Sequence, residues 1–271
     1  MDTFSARDAV RDGPGWRARV AGQLREDGLA VLTGIDGRAA LTVLARELMT
    51  IRPHRDAAPD GVTEITETGT ATTGYAAFTT AGLVPHTDGT AVADPPQLLL
   101  LACARPAGEG GATLVADGAR VVAALAGSHP GALPALSAPG SARFGTPADG
   151  YLGAVLEPAG PGRVRLRLRL DDLARFSPDA ACAVPALRAA ISAHTTALRL
   201  GPGDGVVLCN TRWLHGREPY AGPRVMLRVL GDPLPGDGIL PGFPHRRPGA
   251  SLAAPAGTAG HLAGACGEPA R

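Results

Sequence analysis

No lysine occurs anywhere in the chain; all 26 basic residues are arginine. That excludes chemistry running through a lysine Schiff base. Aromatic residues make up only 4% of the sequence, which argues against a large aromatic-lined pocket. The four cysteines, Cys103, Cys182, Cys209 and Cys266, lie far apart and form no CxxC pair, so structural zinc of the paired-cysteine type is not expected. Cys103 and Cys209 sit inside apolar runs, where the expectation is a buried, reduced thiol. The longest apolar run, LLLLACA, is far too short to span a bilayer, and MDTFSARDAVRDGPGW at the start has no apolar segment of the secretory type. A formal net charge of +1 gives no bulk attraction to nucleic acid or to an anionic membrane. The expected class is a cytoplasmic enzyme or binding protein whose partner is a small molecule, with no nucleic-acid or membrane partner.

What is present is enough apolar material for a substantial core: 45% hydrophobic and 19% charged residues in a chain of 271. GWRARVAGQLREDG has helical apolar spacing and stops at Gly28, LAVLTGI reads as a buried strand, and GRAALTVLARELMTI as a second helix. Arg55 to Leu83 weakens into short strands and a long loop. QLLLLACA and GGATLVAD are strand candidates, followed by a short helix, GARVVAALAGS. Gly127 to Gly162 is rich in Pro, Gly and Ala, and its lack of periodicity reads as a lid or binding loop. RVRLRLRLD, Arg163 to Asp171, alternates strictly, predicting a strand with leucines inward and four arginines on a polar face. PALRAAISAHTTAL reads as a helix, while PGDGVVLCN and PRVMLRVLGD enter two further strands. These elements predict a single domain over residues 1–242, mainly β with flanking helices around a jelly-roll-like core. Residues 243–271 read as a Gly/Pro/Ala-rich flexible tail.

Within VPHTDGTAVADPP, His86 and Asp88 would project from one face if the backbone is extended, and could bind one metal ion together. The pair alone is more often an ordinary turn; a third ligand is needed. His215, in LCNTRWLHGREPY directly after a buried strand, is the candidate. Two histidines and a carboxylate on one face of an octahedron suit a non-haem Fe(II) oxygenase, because the opposite positions stay open. The other five histidines, at 54, 129, 194, 245 and 261, read as structural or solvent-exposed by default. A dicarboxylate cosubstrate needs an arginine at its far end. Arg224 and Arg228 in PRVMLRVLGD share a strand face amid apolar residues, an arrangement that is costly without an anion.

Taken together and in this order, PHTDGTAV, GGATLVAD, PGDGVVLCNTRWLHGR and PRVMLRVLGD resemble the taurine dioxygenase and clavaminate synthase-like superfamily. The resemblance covers roughly residues 28–232. It implies an Fe(II)/2-oxoglutarate-dependent oxygenase on a double-stranded β-helix of cupin-like form, using O2 and releasing succinate and carbon dioxide. It implies His86, Asp88 and His215 as iron ligands and Thr113 and Arg224 at the distal carboxylate of 2-oxoglutarate. Arg228 matches the second arginine, at the cosubstrate or at an acidic substrate group. In relatives acting on amino acids, acidic residues in the position of LRLDDLARF face the substrate, which singles out Asp171 and Asp172 here. The carboxylate ligand is Asp where many clavaminate synthase-like members have Glu, and its presence argues against halogenation. The expected substrate is a small polar molecule, such as an amino acid or a secondary-metabolite intermediate. A zinc hydrolase on the same three ligands and a non-catalytic jelly-roll binding protein are the alternatives.

Overall fold

The computed structural model describes residues 2–69 and 76–245. Its centre is the strand Leu98–Arg105, whose continuous apolar run is buried on both faces, as a strand in mid-sheet requires. Leu98, Leu100 and Ala102 enter one core cluster; Leu99, Leu101 and Cys103 enter another. Gly205–Cys209 pairs antiparallel on one side and Val225–Pro233 on the other. Leu29–Thr33, Thr3–Ser5, Met49–Ile51 and Val62–Ile65 complete a seven-stranded sheet. A four-stranded sheet in the order Thr195–Leu198, Thr113–Asp117, Trp213–Arg217, Leu83–His86 faces it.

Chain order explains the pairing of the two sheets. After Leu98–Arg105 in the large sheet the chain crosses to Thr113–Asp117 in the small one. It later runs Thr195–Leu198 (small), Gly205–Cys209 (large), Trp213–Arg217 (small) and Val225–Pro233 (large). The cluster between the sheets draws on both, with Leu101, Val206, Met226 and Leu230 from one and Val115 and Trp213 from the other. Each sheet is also covered on its outer face. Trp16, Val20 and Leu24 of helix Gly13–Glu26 and Leu41, Leu44 and Leu48 of helix Gly37–Leu48 pack on the large sheet. Helices Gly118–Ser128, Ala132–Ser137 and Pro178–Ala193 cover Ala116 and Leu214 of the small one. Among the described residues, no helix is long and apolar enough to cross a membrane.

Several expectations need correction. The second helix ends at Leu48, and Met49–Ile51 is an edge strand paired to Gly231–Pro233. The helix expected through PALRAAISAHTTAL starts earlier, at Pro178, and ends at Ala193; Thr195–Leu198 is a strand paired to Thr113–Ala116. The Pro- and Gly-rich segment holds helix Ala132–Ser137, the hairpin Ala142–Gly145/Gly150–Gly153 and strand Leu156–Pro158, rather than one long irregular loop. The alternating strand spans only Arg163–Leu166. Arg167, assigned to a polar face, is 1% exposed. Its guanidinium pairs with Glu157 and donates to the carbonyls of Thr90, Val92 and Ala93, which satisfies it inside the protein. Phe243–Pro244 pairs with Arg163–Val164, and Phe243 is buried, so packing continues past the expected domain end at 242. The rest of the tail, from residue 246, lies outside the described residues.

Candidate metal centre

Strands Leu83–His86 and Trp213–Arg217 run antiparallel, with His86 directly opposite His215. That register brings the two rings to a centroid separation of 4.5 Å. Asp88 follows His86 by two residues, beyond the end of the strand. Gly89 makes the turn after it possible: its φ is +71°, and a Cβ there would sit 2.6 Å from Pro96 Cδ. One ligand atom from each of His86, Asp88 and His215 lies within 4.8 Å of the others.

The details suit a cation. Asp88 Oδ1 stands 3.6 Å from His86 Nε2 and 3.8 Å from His215 Nε2, too far for hydrogen bonds and close enough for one ion to be shared. Asp88 Oδ2 accepts a hydrogen bond from Arg228 Nη1 at 3.0 Å, leaving Oδ1 toward the rings. His86 Nδ1 is bonded to the Val84 carbonyl at 3.0 Å, which frees Nε2. His215 Nδ1 is buried with no hydrogen-bond partner. Burial alone would raise the Asp88 carboxyl, but Arg228, with His86 and His215, holds it well below the usual carboxylate range. Burial, with the charges of His86 and Arg228, pushes His215 down to about 3. An ionised carboxylate and a neutral imidazole are the protonation states in which these groups bind metals.

A cavity of about 160 Å³ opens at one end of the intersheet space, and Thr113, Arg224, Cys103, Met226, Gly110 and Gly111 are among its lining. Thr113 is 2% exposed and Arg224 6%. Arg224 stacks 5.5 Å from the Tyr220 ring centroid but makes no hydrogen bond or ion pair with any described residue. Gly111, at φ +71°, leaves room for it; a Cβ there would lie 3.3 Å from Arg224 Cδ. A larger cleft of about 370 Å³ lies outside the small sheet among Val84, Leu114, Leu170, Arg188 and Ile191. Neither this cleft nor the smaller cavity is lined by His86, Asp88 or His215, so the geometry of those three side chains rather than cleft size locates the candidate centre.

The structure thus brings together His86, Asp88 and His215, places Arg228 against them, and sets Thr113 and Arg224 in one cavity. Asp171 forms a two-point pair with Arg169, at 2.7 and 2.6 Å, and lies near enough to His86 to feel its charge. Asp172 is exposed and contributes only its carbonyl, to Arg175. His54, expected to be structural or exposed, is half-buried, and its Nδ1 accepts from the Asp56 N–H; burial and then the charge of Arg228 lower its pKa, and Asp88 acts against them. Two further residues escaped the sequence reading. Asn210 binds the backbone of Asp88, and Arg217 binds the carbonyls of Ala77, Thr79 and Ala81. For Arg217 a signal existed: a charged residue in a buried strand, two positions after His215, needs an internal partner.

The profile of the taurine catabolism dioxygenase TauD, TfdA family matches residues 3–230. The chain belongs to this family. Membership makes it a non-haem iron, 2-oxoglutarate-dependent dioxygenase, in agreement with the sequence motifs. No curated protein matches the chain. Among solved structures, asparagine oxygenase in complex with Fe(II), 3-hydroxyasparagine and succinate superposes with a TM-score of 0.69, at 21% identity over 88% of each chain. OrfP, a non-heme iron oxygenase in complex with Fe, succinate and (3S)-hydroxy-L-Arg, gives 0.64 at 18% identity, covering 85% of this TauD-family chain and 94% of its own. PvcB from Pseudomonas aeruginosa gives 0.60 at 21% identity over 79% of each. At these identities the likeness carries the fold alone.

Proposed function

We propose that this TauD-family dioxygenase holds Fe(II) through His86, Asp88 and His215 and oxidises a C–H bond, most simply by hydroxylation, of a small polar substrate of amino-acid type. The core is read as a double-stranded β-helix with the centre at one end. Bound there, Fe(II) would couple oxidative decarboxylation of 2-oxoglutarate by O2 to substrate oxidation, giving succinate and carbon dioxide.

The observation that carries the reading is Arg224, a buried guanidinium without an anion, in one cavity with Thr113. A dicarboxylate reaching from the metal to this cavity would place its far carboxylate on both residues, and the arginine would gain the counter-charge it lacks. A zinc hydrolase has no use for such an anchor, so the pair separates the two chemistries. Arg228 holds Asp88 by Nη1, while its Nε is buried without a partner and remains a donor for an acidic substrate group. Asp171 supplies negative charge beside His86 for an ammonium or guanidinium group, which it would share with Arg169. Asparagine oxygenase and OrfP carry hydroxylated amino acids, which supports that substrate class.

Anaerobic titration with Fe(II) and 2-oxoglutarate tests the centre. The expected result is a visible charge-transfer band, absent in His215→Ala, with slow succinate formation on admitting O2. No band and no succinate in the native chain, together with hydrolase activity on zinc loading, would reverse the assignment. Screening amino acids for stimulated succinate release, followed by mass analysis of the product, then identifies the substrate.

A further inference from the structure

The sheet does not hold the third ligand. The ladder of strand Leu83–His86 ends at His86, and Asp88 lies in the turn beyond it. Both backbone polar groups of Asp88 are satisfied by one side chain instead. Asn210 Oδ1 accepts from the Asp88 N–H at 2.8 Å, and Asn210 Nδ2 donates to the Asp88 carbonyl at 2.9 Å. The same Nδ2 donates to the carbonyl of Pro96 at 2.8 Å, so the carboxamide also closes the loop that starts at Asp88. Asn210 is 1% exposed, and its own N–H bonds to the Gln97 carbonyl. It stands between strand Gly205–Cys209 and strand Trp213–Arg217, the second of which carries His215.

We propose that Asn210 is a positioning residue for the metal centre: its carboxamide fixes the Asp88 backbone so that Oδ1 faces His86 and His215, and thereby sets metal affinity. This rests on the metal-centre reading above. The requirement is chemical as well as steric. The site needs one acceptor and two donor directions in a small planar group, which the carboxamide of asparagine supplies. An aspartate of the same shape would keep one oxygen on the Asp88 N–H but set the other, in place of Nδ2, against the carbonyls of both Asp88 and Pro96. Metal sites demand ligand distances within about 0.2 Å, so a loosened Asp88 backbone is felt directly as lost affinity. Because Asn210 leads into the His215 strand, it ties two ligand-bearing segments to each other.

The experiment is a Co(II) titration followed by visible absorption, on the full chain and on Asn210→Asp and Asn210→Ala. Leu125→Ala, in the apolar cluster beneath helix Gly118–Ser128, serves as a control for general destabilisation. The expected result is Co(II) affinity about 10- to 100-fold weaker in both Asn210 variants, with wild-type affinity in Leu125→Ala at a comparable loss of Tm. Folded Asn210 variants within twofold of wild type, or equal weakening in Leu125→Ala, overturn the proposal. Hydrogen exchange on the unaltered chain needs no variant. The Asp88 amide is expected to be as protected as amides of Leu98–Arg105, although it lies outside any ladder; rapid exchange there overturns the proposal. Failure of the unaltered chain to bind Co(II) overturns the metal-centre reading itself, a result distinct from the others.

Discussion

Arg224 and Arg228 are four residues apart and both buried, yet their circumstances differ. Arg228 has the Asp88 carboxylate at 3.0 Å; Arg224 has the Tyr220 ring at 5.5 Å, lines the cavity it shares with Thr113, and has no carboxylate partner among the described residues. Opposite outcomes follow on removal of each charge. Arg224→Gln takes away a buried cation without a counter-ion, so the folded state loses little; its cost falls on the cosubstrate, with KM for 2-oxoglutarate raised on the order of 100-fold. Succinate release and a thermal melt on the same sample check both halves. Arg228→Gln leaves Asp88 buried and unpaired, and breaking such a pair costs about 3–5 kcal/mol. Urea denaturation of the metal-free chain is expected to show that loss, part of it recovered by protonation of Asp88 as the pH falls. The cause is direct: Arg228 is the foremost of the charges that hold this carboxyl down against burial.

At the level of elements, what the sequence disclosed was what composition alone determines. Leu98–Arg105 and Gly205–Cys209 were legible because mid-sheet strands buried on both faces read as apolar runs, and Val225–Pro233 was legible although Arg228 interrupts its run. The candidate ligands His86, Asp88 and His215, which the fold brings together, were legible because their chemistry is in the side chain. Met49–Ile51 and Thr195–Leu198 were not, since pairing with Gly231–Pro233 and Thr113–Ala116 makes them strands, whatever precedes them in the chain. Asn210 was missed for a related reason: what it faces, rather than what it is, gives it its place. Arg167 is the instructive error. Strict alternation placed it on a polar face, but the strand ends at Leu166, and the next residue turns inward to Glu157 and the 90–93 carbonyls. Arg167→Met is therefore expected to destabilise by about 3–5 kcal/mol, leaving Glu157 with the Arg165 guanidinium and the Ala154 N–H as its partners among the described residues. Combining it with Glu157→Gln should cost less than the two changes added together, and a double-mutant cycle in urea measures the difference.

On the scale of the whole molecule, the chain's lack of lysine turns alkaline pH into a probe of two buried thiols. Above about pH 9 a typical protein titrates many lysines; here cysteine and tyrosine are the side chains left to respond. Cys209 lies where helix Gly13–Glu26 meets the large sheet, its sulfur 3.7 Å from the Leu24 carbonyl, and burial raises its pKa from 9.0 to about 12. Burial raises Cys103 between the sheets as well. A group whose pKa is higher in the folded state keeps its proton there while the unfolded chain loses it. The stability contribution of Cys209 is thus intact below about pH 9 and falls as pH rises toward 12, at a slope approaching ~1.4 kcal/mol per pH unit. Urea midpoints measured from pH 7 to 11 should be flat at first and then decline. Cys209→Ala should be less stable at pH 7, because a packed sulfur is lost, yet decline less steeply above pH 9; Cys182→Ala, an exposed thiol, should leave the curve unchanged. A parallel decline in Cys209→Ala and the unaltered chain would mean that the thiolate is accommodated between helix and sheet, and that this outer layer opens to water more readily than its packing indicates.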